Sequence, residues 1–187
     1  MTEGTPEQAT VLVVDDERHL ADLYTDYLAD DHEVLTAYGG EEALDSLANN
    51  EIDVTLLDRR MPDLSGDEVL AAINDGEDEV RVAMVTAVNP GFDIIDMGCD
   101  EYLVKPVSRE DLLEVVGRLL KLSEYSEKHQ QLTSKKLTRN VLQVEKSGPE
   151  LAESQRYERL TEEIADLEAE LDDISDDLEF EDLQRHI

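Results

Sequence analysis

The sequence contains a single cysteine, Cys99, among 187 residues. An intrachain disulfide therefore cannot form, and we expect this side chain to serve packing in a reducing compartment. The chain also has no apolar run that approaches membrane-spanning length, and residues 1–9 lack the basic and apolar regions of an export signal. These absences predict a cytoplasmic protein without a membrane partner.

Basic side chains are scarce as well: 16 lysine and arginine residues stand against 48 aspartate and glutamate residues, with a net charge of −32. The acidic residues are spread over the whole length, so the surface repels nucleic-acid backbones and anionic membranes. Few lysines and an aromatic share of 4% indicate adaptation to a halophilic cytoplasm with molar salt, where self-repulsion is screened. A hydrophobic share of 40% still permits a folded core.

Short β-branched runs alternate with amphipathic stretches from Thr10 to Leu120, a pattern typical of βα units around a parallel sheet. We predict an α/β fold with a five-stranded, doubly wound parallel sheet. The predicted strands are Val11–Val14, Glu33–Ala37, Ile52–Leu57, Val80–Val85 and Tyr102–Val104. The first, third and fourth are the most apolar, so we expect helices on both of their faces, with the second strand nearer an edge.

Two helix starts are marked by capping signals. Ser65 is followed three residues later by Glu68, and Ser108 is followed at the same spacing by Asp111. In a capping box, each of the two side chains satisfies a backbone N–H group of the other residue. The sequence therefore predicts helices that begin at these two serines.

The region after Leu120 is predicted to be helical, with a break at Ser147-Gly148-Pro149. Residues 123–146 hold five basic and three acidic residues, whereas residues 150–187 hold three arginines and 15 acidic residues. The second segment has apolar residues at heptad spacing, namely Tyr157, Leu160, Ile164, Leu167, Leu171, Ile174 and Leu178. Opposite charges favour an antiparallel helical hairpin within one chain, and a coiled coil between two chains is the alternative.

Charged residues follow three predicted strands where each strand ends. Asp15 and Asp16 follow the first strand, Asp58 follows the third and Lys105 follows the fifth. Because the carboxyl ends of parallel strands meet at one edge of the sheet, these side chains should lie together. Clustered carboxylates repel one another unless a cation lies among them, and their oxygen atoms suit Mg²⁺. The lysine would hold an incoming phosphoryl group.

Four ordered motifs carry a family resemblance. They are the segments Val11–Glu17, Leu56–Gly66, Val85–Ala87 and Gly98–Pro106. Each motif is weak alone, but at these separations the four together resemble the receiver domain of two-component response regulators. The resemblance implies a flavodoxin-like receiver domain at residues 8–122.

The resemblance implies that Asp58 is the phosphoacceptor, which takes a phosphoryl group from a sensor histidine kinase. Asp16 and Asp58 would bind Mg²⁺ together with the backbone carbonyl of Arg60, and Asp15 would act mostly through bound water. Lys105 would neutralise charge on the transferring oxygen atoms. Such a protein is a signalling protein that catalyses at most its own phosphorylation and dephosphorylation.

A conformational switch is also implied by the resemblance. Thr86 would bond a phosphoryl oxygen, and the ring of Tyr102 would fill the space left as the threonine moves inward. The surface of the fourth and fifth helices would then repack. Ordinary strand packing is the alternative for both residues. A cis peptide before Pro106 would aim Lys105 inward.

The acidic helical region at residues 123–187 resembles the HalX domain that follows receivers in halophilic archaea, and its first helix is expected to continue the fifth receiver helix. We expect output through a downstream protein partner that binds the C-terminal helices, with a homodimer as a further option. DNA binding is the alternative, although the acidic last segment is unlike a recognition helix. A small basic stripe is the feature that favours DNA, and it comprises Lys128, Lys135, Lys136 and Arg139.

A third alternative is a phosphatase-like enzyme that uses Asp58 as a turnover nucleophile. Such an enzyme would need an acid two residues after the nucleophile to protonate a leaving group. Arg60 occupies that position. The pair Arg59-Arg60 also departs from common receivers, and Arg60 would either shield an acyl phosphate from water or pair with the acidic surface.

Overall fold

The computed structural model describes residues 8–185, the side chains of residues 180–185 excepted. Residues 1–7, which fall in the segment expected to lack an export signal, lie outside the described residues, as do the last two residues of the predicted HalX-like region. The described chain divides into two compact units, the first ending at Leu120 and the second beginning at Lys121.

Five strands and seven helices make up the described chain. The strands are β1 (Thr10–Val14), β2 (Glu33–Ala37), β3 (Val54–Leu57), β4 (Arg81–Thr86) and β5 (Glu101–Val104). The helices are α1 (Arg18–Leu28), α2 (Gly40–Asn49), α3 (Gly66–Asp75), α4 (Ile94–Met97), α5 (Arg109–Glu145), α6 (Gly148–Ala152) and α7 (Gln155–Arg185). The predicted α/β fold with a following helical region is confirmed.

All strand pairs in the first unit are parallel, and the strand order is β2-β1-β3-β4-β5. The three most apolar strands, β1, β3 and β4, each have a neighbour on both sides, whereas β2 is an edge strand, as predicted. The chain reverses its direction of winding between β1 and β3. In open parallel sheets, ligands bind at such a switch point, outside the carboxyl ends of the strands.

The predicted start of β3 at Ile52 is wrong by two residues. Pairing with β1 begins only at Val54, which lies opposite Val11. Ahead of that point, the Asp53 carboxylate accepts a hydrogen bond of 2.8 Å from the Thr10 backbone N–H. The side chain thus uses a donor at the start of β1, and the ladder begins one residue later. β4 is shifted by one residue from its predicted bounds and includes Thr86.

The core of the first unit is formed where the sheet packs against its helices. The side chains of β1 and β3 that are fully or almost fully buried include Leu12, Val14 and Leu57. These strands are apolar on both faces because helices cover both sides. Arg118 of α5 is also buried, and its Nε lies 2.9 Å from the Glu101 carboxylate at the start of β5. This ion pair compensates a charge that would otherwise be costly to bury.

Both predicted capping boxes are present. At the start of α3, the Ser65 N–H donates to Glu68 at 2.8 Å, and the Glu68 N–H donates to the Ser65 hydroxyl at 3.3 Å. At the start of α5, Ser108 and Asp111 make the same reciprocal bonds, at 2.7 Å and 3.1 Å. Each box satisfies N–H groups that have no partner within the helix.

In the second unit, the heptad face of α7 packs against α5 of the same chain. Leu132 of α5 lies in one apolar cluster with Ile164, Leu167 and Leu171 of α7. Between the two predicted segments, α5 ends at Glu145, and the short helix α6 occupies part of the predicted break. The intrachain alternative is therefore the one that the structure adopts. Among the described residues, no helix combines the length and apolar character needed to cross a bilayer.

Candidate functional site

Three carboxylates converge at the carboxyl ends of β1 and β3. One oxygen from each of Asp15, Asp16 and Asp58 lies within 4.8 Å of the other two. Among the described residues, this is the one group of three or more such side chains that could hold a metal ion. Asp15 and Asp58 are buried, whereas Asp16 is more accessible to solvent. The sheet produces this arrangement because β1 and β3 are adjacent and parallel.

Backbone hydrogen bonds hold the two buried aspartates in register. The Asp58 N–H donates to the Val14 carbonyl at 2.9 Å, which continues the β1–β3 ladder past the end of the strand. The Asp15 N–H donates to Ala37 at the end of β2, at 3.1 Å. The position of both carboxylates is therefore set by the rigid centre of the sheet rather than by a mobile loop.

Lys105 reaches the same site from the end of β5. Its ammonium Nζ lies 2.6 Å from Asp15 Oδ2 and 3.7 Å from Asp58 Oδ2. Its backbone N–H donates to the Thr86 carbonyl at 2.8 Å, and the peptide bond between Lys105 and Pro106 is cis. The lysine thus bonds Asp15 directly and lies beside Asp58.

Burial governs the electrostatics of the site. Burial raises the pKa of Asp58 above its ordinary value. The positive charge of Lys105 and a hydrogen bond from Thr86 act to lower this pKa, whereas the negative charges of Asp15 and Asp16 raise it further. For Lys105, burial acts to lower the pKa, but the hydrogen bond and charge of Asp15 outweigh burial and raise it. Ionised Asp58 therefore lies in a site that disfavours its negative charge, and a cation would relieve that unfavourable state.

The donor set fits magnesium. Carboxylate oxygens are hard ligands of the kind that Mg²⁺ prefers, and an accessible Asp16 leaves room for the water molecules that the ion usually retains. The acidic cluster can therefore hold a metal ion. The side chain of Arg60 is exposed, and its carbonyl remains a predicted ligand.

The two predicted switch residues lie beside the site, and both form hydrogen bonds with the backbone of Val88. Thr86 is buried at the end of β4, and its hydroxyl accepts a bond of 3.3 Å from the Val88 N–H. The Tyr102 hydroxyl donates to the Val88 carbonyl at 2.8 Å. Val88 therefore connects the two side chains that the sequence predicts to move together.

Arg59 makes contacts that sequence reasoning missed. Its Nε lies 3.0 Å from Asp67 on α3, and its Nη2 pairs with Asp93, just before α4. The hydrogen bonds that the guanidinium donates, to Asp93 first and then to Asp67 and Tyr102, raise its pKa further above its usual range. The residue directly after Asp58 thus ties α3 to the segment that leads into α4. No spacing rule indicates this, because Asp93 and Tyr102 are distant in sequence and Asp67 is brought back to Arg59 by the loop before α3.

Tyr24 is the second residue near the site that sequence reasoning missed. It lies on the buried face of α1, and burial raises the pKa of its hydroxyl, with Lys105 opposing and Asp15 and Asp58 adding to that effect. The spacing of Ala21, Tyr24 and Leu28 could have placed this ring against the sheet. Its proximity to Lys105 depends on how α1 packs.

A family model described as the response regulator receiver domain matches residues 11–117. The chain belongs to this family. A second family model, that of the HalX domain, matches residues 121–187. The protein is therefore a response regulator, and a HalX domain follows its receiver domain, as the two resemblances in the sequence predicted.

Relatives and solved structures agree with this assignment. A Haloferax volcanii protein described as a transcriptional regulator is 50% identical over 121 residues, covering 62% of this chain and 21% of the relative. Transcriptional regulatory protein CpxR of Escherichia coli is 35% identical over 124 residues, covering 64% of this chain and 53% of CpxR. This response regulator thus spans about half of CpxR and about a fifth of the archaeal relative.

The receiver fold is also found among solved structures. The CheY-like receiver domain protein of Methanospirillum hungatei superposes with a TM-score of 0.60 at 28% identity, covering 63% of this chain and 97% of that structure. The NtrX structure from Brucella abortus superposes with a TM-score of 0.63 at 27% identity, covering 67% of this chain and 30% of that chain. The match to the Methanospirillum hungatei protein covers almost the whole of that structure.

Proposed function

We propose that this response regulator accepts a phosphoryl group on Asp58 from a sensor histidine kinase, with Mg²⁺ held by Asp15, Asp16, Asp58 and the Arg60 carbonyl. The observation that carries the proposal is the convergence of three carboxylates within 4.8 Å of one another, with the Lys105 ammonium 3.7 Å from Asp58. Receiver domains take up phosphoryl groups through such a set of side chains, and family membership supports the same role here.

In the proposed reaction, an Asp58 carboxylate oxygen forms a bond to phosphorus while the bond from phosphorus to the kinase imidazole nitrogen breaks. The imidazole takes up a proton as it leaves, and an acyl phosphate remains on the receiver. The transferring oxygens carry negative charge, so the reaction requires alignment and charge neutralisation. The metal ion would supply part of that neutralisation, and Lys105 would supply the rest.

The proposed response to phosphorylation runs through Thr86 and Tyr102. A phosphoryl oxygen on Asp58 would accept a hydrogen bond from the Thr86 hydroxyl and draw it away from the Val88 N–H, from which the hydroxyl now accepts. The bond from Tyr102 to the Val88 carbonyl would then be free to break. Repacking of these two side chains would change the surface of α4 and β5, and so pass the signal to a partner.

The test is phosphorylation by acetyl phosphate with MgCl₂ in molar KCl, read by intact-protein mass spectrometry. The wild-type chain should gain one phosphoryl group, and Asp58→Asn should gain none. Asp45→Asn is the matched control, since Asp45 is an exposed carboxylate on α2, and it should react like wild type. A phosphoryl group that persists in Asp58→Asn, or that forms equally well in excess EDTA, contradicts the proposal.

For the output, we propose a protein partner that binds the helical region. Three of the four basic side chains that favoured DNA are engaged with α7: Lys128 lies 2.5 Å from Glu170, Lys135 lies 2.6 Å from Glu163 and Lys136 pairs with Glu168. Phosphate contacts would have to break these ion pairs and would weaken further at high salt. These contacts count against a DNA-binding stripe on α5.

Transcriptional regulation by DNA binding is the second candidate, and it is favoured by the similarity to relatives described as transcriptional regulators. A band-shift assay with genomic fragments in molar KCl separates the two outputs. We expect no specific retardation by either the unmodified or the acetyl-phosphate-treated protein. Retardation that competitor DNA of unrelated sequence does not remove would establish the second candidate instead.

A further inference from the structure

A second heptad face runs along α5, opposite to the side that packs on α7. It comprises Gln130, Ser134, Leu137, Val141 and Val144, which follow one another at alternating steps of four and three residues. Such spacing keeps side chains on one stripe of a helix and is the pattern by which two helices pack together. We call these five residues the outer seam.

The apolar members of the outer seam are open to solvent. Leu137 is 62% exposed, Val141 is 60% exposed and Val144 is 82% exposed. The opposite side of the helix is covered, because Leu132 lies in the cluster with Ile164. Three large aliphatic side chains aligned on one exposed face form a contiguous patch, which is unlike single apolar residues scattered on a surface.

Charge sets this face apart from the rest of the molecule. Residues 128–144 include no aspartate or glutamate, although the chain has 48 of them. The lysines of this segment point to α7, where they form the ion pairs with Glu163, Glu168 and Glu170. From Gln130 to Val141, the residues that flank the outer seam are uncharged as well: Gln131, Thr133, Thr138 and Asn140. Glu145, next to Val144, is the first charged residue of this face. The face is therefore neutral over most of its length, with an apolar stripe at Leu137, Val141 and Val144.

We propose that two copies of this chain associate through the outer seam. A partner recognised by charge would need cations or carboxylates along this face, and the positions that flank Ser134, Leu137 and Val141 supply neither. A neutral, apolar surface fits another surface of the same kind, and a second copy presents one. Two-fold symmetry would place the same patch on both sides of the contact.

The high net charge of each copy strengthens the argument for this face. Two chains that each carry −32 repel each other, and wherever their acidic surfaces touch, like charges face one another. Molar salt screens the long-range repulsion but does not remove the cost of direct contact between carboxylates. The outer seam allows two copies to approach without such contact, while both sets of aliphatic side chains leave water.

Sedimentation velocity of the full chain over a range of protein concentrations tests the proposal. In molar KCl, we expect a concentration-dependent monomer–dimer equilibrium for the wild type. Leu137→Glu combined with Val141→Glu should raise the dimer dissociation constant by roughly 100-fold or more, because acids then face acids across the contact. Raising KCl should tighten the wild-type dimer, since apolar burial strengthens and repulsion weakens.

Two further variants make the result specific. Leu137→Gln combined with Val144→Gln removes apolar surface without adding charge, keeps good helix formers and should also weaken the dimer. Ile95→Glu is the matched control, because Ile95 is an aliphatic side chain of the receiver that is 75% exposed. It should leave the dimer unchanged. Circular dichroism should show wild-type helicity for every variant.

Several outcomes would overturn the proposal. They are a wild-type chain that stays monomeric at every concentration, a dimer that survives both outer-seam variants, and a dimer that Ile95→Glu dissociates. A dimer that falls apart as KCl rises would also contradict it, because association would then depend on charge. Binding of a different protein to this face would appear as the first of these outcomes.

Discussion

At Asp58, the ionised form that the proposed reaction requires is the form that the folded structure disfavours. The carboxylate must be ionised to act as a nucleophile, yet burial and the neighbouring aspartates raise its pKa. Lys105 compensates only part of this, since its shorter contact is to Asp15 rather than to Asp58. In a site that binds a cation, the ionised carboxylates are expected to be electrostatically destabilised when no cation is bound.

Asp58→Asn should therefore stabilise the metal-free protein at neutral pH. Because the folded-state pKa of Asp58 is raised, its protonation contributes stability below the unfolded pKa, and that contribution is lost as pH rises through the folded pKa. At pH 7 the ionised group opposes folding. We expect the variant to melt a few degrees above wild type in EDTA, measured by circular dichroism.

The difference in melting temperature between Asp58→Asn and wild type should depend on pH and on magnesium. It should shrink as pH falls below about 4, where the wild-type carboxyl group is protonated in both states. It should also shrink when MgCl₂ is added, because the ion binds the wild-type carboxylates and stabilises the folded state. Asp45→Asn should show neither effect. A variant that melts below wild type at pH 7 in EDTA would contradict this account.

Residue-level prediction succeeded where a side chain follows a buried parallel strand. Asp15, Asp58 and Lys105 could be placed together because adjacency of strand ends follows from the fold class. Arg59 could not be placed, because its partners Asp67 and Asp93 are brought to it by the packing of α3 and the chain before α4. Charge complementarity in a chain with so many carboxylates offers too many candidate partners.

At the scale of elements, the loop between β3 and α3 packs closely against the backbone that carries Asp58. The Gly66 N–H donates to the Arg59 carbonyl at 2.8 Å, so the loop folds back onto the end of β3. A Cβ atom at Gly66 would lie 2.1 Å from the Asp58 carbonyl oxygen and 2.8 Å from the Arg59 Cα. Both contacts are with backbone, which cannot move without displacing the strand end.

Gly66→Ala should therefore destabilise the receiver by roughly 1–3 kcal/mol, the usual range for an overpacked site. It should also slow phosphorylation by acetyl phosphate, because the backbone that carries Asp58 has to shift. Urea unfolding at fixed KCl measures the first effect, and mass spectrometry over time measures the second.

Gly117→Ala is the matched control for this change. Gly117 lies within α5, and a Cβ atom there would meet nothing within 4 Å. Alanine is the better helix former, so this variant should gain about 0.5–1 kcal/mol. Equal effects of the two substitutions would mean that close backbone approach at Gly66 does not matter.

Elements were predictable where local signals agree with packing. The capping boxes at Ser65 and Ser108 mark both helix starts, because a cap depends on residues three apart. The start of β3 was not predictable, because Asp53 bonds Thr10 across 43 residues of sequence. The partner of the α7 heptad face was also open in the sequence, since heptad spacing is the same for pairing within and between chains.

At the scale of the whole molecule, the net charge of −32 opposes every compact state. Screening by salt reduces this repulsion, so the melting temperature should rise steeply as KCl is increased from low concentration toward the molar range. Thermal unfolding followed by circular dichroism measures the rise. Sucrose, which does not screen charge, should raise the melting temperature less than KCl. A melting temperature that is insensitive to KCl would contradict the predicted adaptation to salt.

The sequence by itself determined the fold class, which strands lie at the centre of the sheet and which residues follow the strand ends, because hydrophobic periodicity and parallel strand geometry are local and repetitive. Only the tertiary structure decided which carboxylate Lys105 bonds, how Arg59 ties α3 to the chain before α4, and which helix covers the α7 heptad face. Those outcomes depend on distances between segments far apart in the chain, and such distances exist only after the chain has packed.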